Sequence, residues 1–293
     1  MDNGLYNGLY TNTPEGVHNG IYTGTNNGVF NGVFNEGIIE DKILKNGLIL
    51  YVDTKFTKSY PRGGNNINDL SKKSNNGTLI NNPVYSPINN GCIELLNPTS
   101  SGKYIDFKDK DIFTFGSGVG GIDIPFSFSL WIYPTSFAIS GIILFGRSYN
   151  TPANAWQREY LTSIGPSGNV NFSIFNPDIS GGNSLVNSTT STISTNKWVN
   201  LTFTYNANKL NSGMLTYVNG VLQSTTSSNG GTYTGMGNTD APLYFGFQYF
   251  GSNPSLSALY YGYLAQILLY RNKVLTAAEI NQNYQATKSR FNL

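Results

Sequence analysis

Residues 126–133 read FSFSLWIY, with Ser127, Ser129, Trp131 and Tyr133 at one set of alternate positions. Every second position is apolar, and these positions are Phe126, Phe128, Leu130 and Ile132. A period of two is typical of a β-strand that packs one face against a hydrophobic core. The segment therefore predicts a strand in a sheet that is covered on at least one side.

Other segments on either side of this one read as strands of the same kind. They are residues 47–53, 142–145, 170–175, 198–205, 243–247 and 263–270. In addition, residues 215–218 and 221–224 flank Asn219 and Gly220. An Asn-Gly pair between two strand-like runs favours a type I′ turn, whose twist matches that of the strands it joins. This pattern predicts a hairpin.

The chain closes on a predicted short helix. Thr276 and Glu279 have the spacing of a capping box, and Ile280 and Tyr284 lie four residues apart on one helical face. Many strands, one helix and no alternation of strands with helices indicate an all-β fold. We predict a two-sheet antiparallel β-sandwich of the jelly-roll type with a short C-terminal helix.

An Asn-Gly-rich repeat precedes the sandwich. Residues 3–14, 15–26 and 27–38 are three dodecamers, each starting with two copies of Asn/Glu-Gly-aliphatic-aromatic. Repeats this short need partners to bury their apolar residues, so we predict that residues 1–46 anchor or oligomerise and residues 47–293 form the sandwich. A β-solenoid or trimeric stem, a docking peptide and a disordered tail all remain open. The predicted assembly residues are Leu5, Tyr6, Leu9, Tyr10, Val17, His18, Ile21, Tyr22, Val29, Phe30, Val33 and Phe34.

Composition excludes several classes of function. With 18 basic and 16 acidic residues and a net charge of +2, the chain is not expected to bind nucleic acid. Cys92 is the single cysteine, which excludes an internal disulfide and suits a buried strand thiol. We see no apolar run of 18 residues and no signal peptide, so we expect no membrane insertion and synthesis in a cytoplasm.

Several motifs resemble the laminin-G-like jelly rolls of the concanavalin-A-like lectin/glucanase superfamily. They are GLILYVD at 47–53, DLS at 69–71, FSFSLWIYP at 126–134, KW at 197–198, YVNG at 217–220 and LTAAEI at 275–280. The resemblance covers residues 47–293 and implies the sandwich fold. Such domains behind Asn-Gly-rich repeats look like virion surface proteins of tailed phages.

Catalytic patterns of this superfamily are missing from the sequence. Its glycosidases carry paired carboxylates on one strand in the order Glu-x-Asp-x-x-Glu, because an acid and a nucleophile or base must flank the scissile bond. No such spacing occurs, and Glu159 is followed by Tyr160 and Leu161. His18, the single histidine, lies in the repeat, so a Ser-His-Asp triad within the sandwich is excluded. We predict that the protein is not an enzyme.

Calcium is a possible cofactor, because laminin-G-like domains often bind it at the sandwich rim through oxygen ligands. The candidate ligands are Asp53, Asp69 and Asp106. The family's last strand commonly carries Asp-Glu where this chain has Ala265 and Gln266, which weakens the expectation. Turn formation through side-chain-to-backbone hydrogen bonds is the alternative role for Asp69.

Two predicted rim loops, residues 149–156 and 248–254, combine aromatic rings with amides. Aromatic platforms and planar polar groups suit a sugar ligand, although core or interface packing explains any one ring as well. The candidate ligand-binding residues are Tyr149, Trp156, Tyr249, Phe250 and Asn253.

Three hypotheses of function follow. The first is a non-enzymatic virion surface protein that displays the sandwich and contacts itself, as a possible trimer, or capsid or tail proteins. The second is a glycan-binding adhesin that recognises polysaccharide. The third is a filament subunit whose N-terminal segment adds strands to a neighbouring copy.

Overall fold

The computed structural model describes residues 42–96, 102–137, 142–150, 156–177, 182–248 and 259–293. The predicted assembly residues of the N-terminal repeat lie outside this part of the chain. The strands are β1 (Leu48–Asp53), β2 (Asn66–Ile67), β3 (Gly77–Ile80), β4 (Val84–Ser86), β5 (Cys92–Leu95), β6 (Tyr104–Asp106), β7 (Phe126–Pro134), β8 (Ile142–Asn150), β9 (Trp156–Ile164), β10 (Asn169–Phe175), β11 (Ser184–Thr192), β12 (Val199–Tyr205), β13 (Met214–Val218), β14 (Val221–Leu222), β15 (Thr225–Ser227), β16 (Leu243–Phe245) and β17 (Gly262–Arg271).

These strands form two antiparallel sheets. Sheet 1 has the order β14-β13-β12-β7-β17-β5-β4, with β1 also paired to β17. Sheet 2 has the order β15-β11-β10-β9-β8-β16-β6-β3-β2. Neighbours in each order are often distant in sequence, as expected for a jelly roll and not for a simple meander. The predicted all-β sandwich is confirmed.

The core lies between the two sheets. The four apolar residues of β7 quoted above are all fully buried there, as their alternation predicts. The ring of Phe128 stacks on that of Phe203 from β12 at a centroid distance of 4.8 Å and meets Phe172 from β10 edge to face at 5.8 Å. Aromatic contacts of this kind add to the free energy gained by burying apolar area. Through these contacts β7 packs on its neighbour in sheet 1 and, across the core, on sheet 2.

The C-terminal helix, Ala277–Thr287, packs on the outer face of sheet 1. Its predicted capping box is present, with the Thr276 hydroxyl accepting from the Glu279 backbone N–H and the Glu279 carboxylate accepting from the Thr276 backbone N–H. Trp131, on the face of β7 opposite the core, is fully buried beneath this helix and stacks on Tyr284. Sheet 1 is thus covered on both faces.

The predicted hairpin is confirmed as well. Asn219 and Gly220 join β13 to β14 with φ angles of 51° and 78°. Positive φ at both central residues defines a type I′ turn, which Asn and Gly adopt at least cost.

Residues 42–46, assigned above to the linker, pack against the sandwich. Ile43 is 1% exposed and joins the apolar cluster beneath the helix. The backbone N–H of Leu44 donates to the side chain of Asn283 at 3.0 Å. Within the part of the chain that the structure describes, no helix is long and apolar enough to cross a membrane.

Two long strands were missed by the sequence reading. They are β9 (Trp156–Ile164) and β11 (Ser184–Thr192), both rich in polar residues, and β8 runs on to Asn150. Register shifts between Ile143 and Phe145 and between Arg147 and Ser148 interrupt the alternation of β8 against β9. A bulge inserts an extra residue and breaks the period of two on which the prediction depends.

Candidate functional site

The outer face of sheet 2, turned away from the core, carries polar and aromatic side chains. On β10, Val170, Phe172 and Ile174 belong to the core, so the alternate residues Asn171 and Ser173 face outward. The C-terminal helix occupies the corresponding face of sheet 1. Sheet 2 is therefore the better place to look for a ligand-binding surface.

The described ends of the two predicted rim loops lie close to each other on this face. β8 and β9 are paired up to Asn150 and Trp156, so the first loop connects these two strands. The side-chain amide of Gln248, at the start of the second loop, donates to the hydroxyl of Ser148 on β8. We call Ser148, Trp156, Arg158, Phe175 and Gln248 together the rim site; Trp156 and Arg158 are half-buried, and the other three are buried.

Trp156 is the aromatic centre of the rim site. The guanidinium carbon of Arg158 lies 3.5 Å from the centroid of its ring and 5.1 Å from that of Phe175. A planar cation over an aromatic face is attracted by the ring quadrupole and holds the ring in a fixed orientation. Trp156 is only half-buried, so part of its indole remains exposed beside the guanidinium of Arg158.

A second aromatic group lies across β8 from Trp156. Tyr104 of β6 stacks on Phe247 at a centroid distance of 4.4 Å, and Tyr244 of β16 meets Tyr104 edge to face at 5.3 Å. Phe247 precedes Gln248 directly. Aromatic rings therefore lie on both sides of β8.

A row of amide and hydroxyl groups crosses the same face toward β11. The Asn171 amide donates to the Ser163 hydroxyl at 3.1 Å, and its carbonyl accepts from Ser188 at 2.6 Å and from Asn169 at 3.1 Å. Asn171 is half-buried. Neutral donors and acceptors of this kind match the hydroxyl groups of a sugar.

The structure describes only part of the predicted ligand-binding set. Trp156 begins β9, and Tyr149 lies in β8 opposite Gln157, with its side chain outside the described residues. Tyr249, Phe250 and Asn253 also lie outside them. That set remains a prediction.

The sequence reading missed several outward residues of this face. They are Ser148, Arg158, Ser163, Asn171, Ser188 and Gln248. The alternation of NVNFSIF in β10 could have pointed to Asn171, because the residues on either side of it are apolar. The hydrogen-bond partners of Asn171 come from neighbouring strands and had no signal in the sequence.

Asp53 lies at the end of β1, where the sequence suggested a calcium ligand. It is 1% exposed, and its Oδ1 lies 2.6 Å from Nη1 of Arg290, which follows the C-terminal helix. Its Oδ2 accepts from the side chain of Gln266 at 3.0 Å. Gln266 stands where the family commonly has an acidic residue, so an uncharged donor and a guanidinium surround this carboxylate.

The other two candidate calcium ligands lie elsewhere. Asp69 accepts backbone N–H groups from Tyr51, Ser71 and Asn75, which is the turn-forming role considered above. Asp106, in sheet 2, pairs with Lys108 at 2.6 Å. Among the described residues no three His, Cys, Asp or Glu side chains are grouped to hold a metal ion. With their oxygens directed at cations and amides of the chain, these three carboxylates do not fit a shared calcium site.

A laminin-G family model of the concanavalin A-like lectin/glucanases superfamily matches residues 100–281, more than half of the 293-residue chain. The chain belongs to this superfamily, as the sequence motifs suggested. A comparison with curated protein sequences gave no match.

Solved structures with the same fold include binding domains of several origins. The binding domain of botulinum neurotoxin DC, solved with rat synaptotagmin II, has a TM-score of 0.57 at 15% identity over 83% of this chain and 52% of its own. Domain 4 of the extracellular arabinanase AbnA from Geobacillus stearothermophilus, solved with arabinotriose, has a TM-score of 0.51 at 16% identity, covering 81% and 98%. Trypanosoma rangeli sialidase, solved with sialic acid, has a TM-score of 0.53 at 12% identity, covering 83% and 33%. The chain spans about half the length of the neurotoxin domain, and identities this low establish the fold alone.

Proposed function

We propose that the sandwich is a carbohydrate-binding module and that the rim site contacts the sugar. The observation that carries this proposal is the half-buried Trp156, held in place by Arg158 beside a row of neutral amide and hydroxyl groups on one sheet face. An aromatic platform buries the apolar face of a sugar ring, and neighbouring amides and hydroxyls pair with its hydroxyl groups. This combination suits a glycan better than a nucleic acid or a peptide strand.

The fold neighbours support the same class of ligand. The arabinanase domain was solved with arabinotriose and the sialidase with sialic acid. A third protein of this fold is botulinum neurotoxin type C, whose cell entry is described as dependent on interaction with two ganglioside molecules. Because three proteins of this fold are described with sugar-containing ligands, a glycan is the first ligand to test. They do not indicate which sugar.

Trp156→Ala is expected to weaken glycan binding at least tenfold, because truncating a central aromatic contact commonly costs more than 1.4 kcal/mol of binding free energy. The free energy of unfolding is expected to change by less than about 1 kcal/mol, because the side chain is only half-buried. Binding would be found by screening the full chain against neutral and sialylated oligosaccharides and measured by titration calorimetry.

Val84→Ala is a suitable control, because Val84 is 52% exposed on the edge strand β4 of sheet 1, away from the rim site. It is expected to bind like the unaltered protein. If the Trp156→Ala variant bound the glycan as tightly as the unaltered protein, the rim site would not be where the sugar binds. If the full chain bound no glycan in the screen, the proposal itself would be refuted.

We also propose that the protein is not an enzyme. Glu159, an acidic residue on β9, is fully buried and paired with Arg147, so it is not placed to reach a substrate. Hydrolysis of any glycan in the screen by the purified chain would contradict this.

Display on a virus particle is the context we propose for the module, with residues 1–46 anchoring or oligomerising it. The dodecameric repeat supports this part of the proposal. By light scattering we expect the full chain to be oligomeric and a chain shortened to begin at Lys42 to be monomeric; the shortened chain keeps Ile43, which packs against the sandwich. If the full chain and the shortened chain were both monomeric, the repeat would dock on another protein or be disordered. Absence of the chain from purified particles would refute the virion context.

A further inference from the structure

The charged residues of this chain are separated along its sequence. Residues 1–41 have five acidic side chains and no lysine or arginine, whereas residues 42–73 have seven basic side chains and two acidic ones. The net charge of +2 does not show this separation. Two copies of such a chain can attract each other, because the acidic segment of one complements the basic segment of the other.

Four of the basic residues lie on two segments beside β1, one between β1 and β2 and the other between β2 and β3, and all four are exposed. The segments run side by side. The backbone N–H of Asn68 donates to the carbonyl of Ser59 at 2.7 Å, and its side-chain amide donates to the carbonyl of Lys58 at 3.0 Å. We call these four residues the basic edge; they are Lys58, Arg62, Lys72 and Lys73.

The second of these segments closes the free edge of β1. The backbone N–H of Leu70 donates to the carbonyl of Tyr51 at 2.7 Å, and the Ser71 hydroxyl donates to the carbonyl of Ile49 at 3.1 Å. These carbonyls would otherwise be available to an added strand. A partner at this edge therefore contacts side chains and does not pair with β1 as a further strand.

The two acidic residues of residues 42–73 are engaged elsewhere. Asp53 is buried and paired with Arg290, and both oxygens of Asp69 accept hydrogen bonds from neighbouring backbone and hydroxyl groups. Among the described residues, none of the four side chains of the basic edge forms a salt bridge. Their positive charge therefore faces solvent.

We propose that the basic edge binds residues 1–41 of a second copy of this chain. Charge identifies the occupant, because this segment has no basic residue and three of its five acidic ones are Glu36, Glu40 and Asp41. An extended chain of this length spans up to about 140 Å, which is enough to reach a neighbouring sandwich. The inference rests on the proposed assembly role of residues 1–46 and names the surface they contact; it does not depend on glycan binding.

The salt dependence of association of the full chain is the first test. Raising NaCl from about 0.1 M to about 1 M shortens the screening length from about 10 Å to about 3 Å. Light scattering over a range of protein concentrations gives the dissociation constant of the oligomer. We expect this constant to rise about tenfold, because several exposed charge pairs are screened together.

Charge reversal assigns the surface. The double variant Lys72→Glu with Lys73→Glu is expected to associate about tenfold more weakly at low salt, because two attractive contacts become repulsive. The matched control is Lys197→Glu with Lys288→Glu, which makes the same change of net charge outside the basic edge. It is expected to associate within about twofold of the unaltered protein.

Reversal of the partner charges completes the test. Glu36→Lys with Glu40→Lys is expected to associate weakly by itself. When this variant is mixed with Lys72→Glu and Lys73→Glu in one chain, opposite charges face each other again, and the mixture is expected to associate more tightly than either variant alone. A fluorescent label on one variant distinguishes the mixed oligomer.

The outcomes separate this inference from the assembly role itself. An oligomer that responds neither to salt nor to Lys72→Glu with Lys73→Glu would overturn the basic edge as the docking site and leave the assembly role of residues 1–46 standing. A full chain that is monomeric at low salt would overturn both. Equal weakening in the control variant, or no recovery in the mixture, would also overturn the basic edge as the site.

Discussion

Trp131→Ala is expected to lower the free energy of unfolding by about 3–5 kcal/mol, the range typical for truncating a buried aromatic residue. The indole is fully buried, its Nε1 donates to the Thr287 hydroxyl at 2.8 Å, and its ring stacks on Phe291 at 4.1 Å. Its removal leaves a cavity beneath the C-terminal helix and deprives the Thr287 hydroxyl of the hydrogen bond that it accepts from the indole. Urea denaturation followed by circular dichroism measures the change.

Trp156→Ala removes the same side chain from a half-buried position and is the matched control. A change of less than about 1 kcal/mol is expected for it. If the two variants lost equal stability, the helix would not depend on Trp131, and the description of sheet 1 as covered on both faces would need revision. Loss of helical signal in Trp131→Ala before the sheets unfold would show that the helix can detach by itself.

Arg290→Ala is expected to cost a similar 3–5 kcal/mol, because it leaves the buried carboxylate of Asp53 without its cation. The side chains of Arg290 and Asp53 are 6% and 2% exposed, and Nη1 of Arg290 lies 2.6 Å from Oδ1 of Asp53. Arg290 also donates to the backbone carbonyl of Asn89 at 2.8 Å and to that of Gly91. Urea denaturation at neutral pH measures the effect.

Lys108→Ala breaks the pair with Asp106, in which the lysine is 62% exposed, and is expected to cost no more than about 1 kcal/mol. The double variant Asp53→Asn with Arg290→Ala is expected to recover part of the stability that Arg290→Ala loses, because no unpaired charge remains. If the double variant were less stable than Arg290→Ala alone, the carboxylate would be stabilised by groups other than Arg290. A small effect of Arg290→Ala would lead to the same conclusion.

The candidate site was accessible to sequence reasoning only in part. Aromatic and amide residues in two rim loops directed attention to Trp156, and the structure places the bases of these loops side by side through Ser148 and Gln248. The contact between residues 100 positions apart is set by the pairing of β16 with β8. The register shifts between β8 and β9 interrupt the alternation, so residues 142–145 of β8 were predicted as a strand but β9 was not.

The sequence by itself determined the alternating strands such as β7, where a hairpin turns and how the last helix begins. These features depend on local chemistry: the period of two in β7, positive φ at Asn219 and Gly220, and the capping of a helix by residues three apart. Each is encoded within about ten neighbouring residues. One sequence is enough to read them.

Only the tertiary structure decided which polar groups are buried and with what they pair. Asp53 and Arg290 are 237 residues apart in sequence, and Trp131 and Thr287 are 156 apart. The alternation of β7 predicts an apolar face but does not say whether a helix covers the other. Such pairings arise because the sheet order brings distant segments together, and burial then makes an unpaired charge too costly to tolerate.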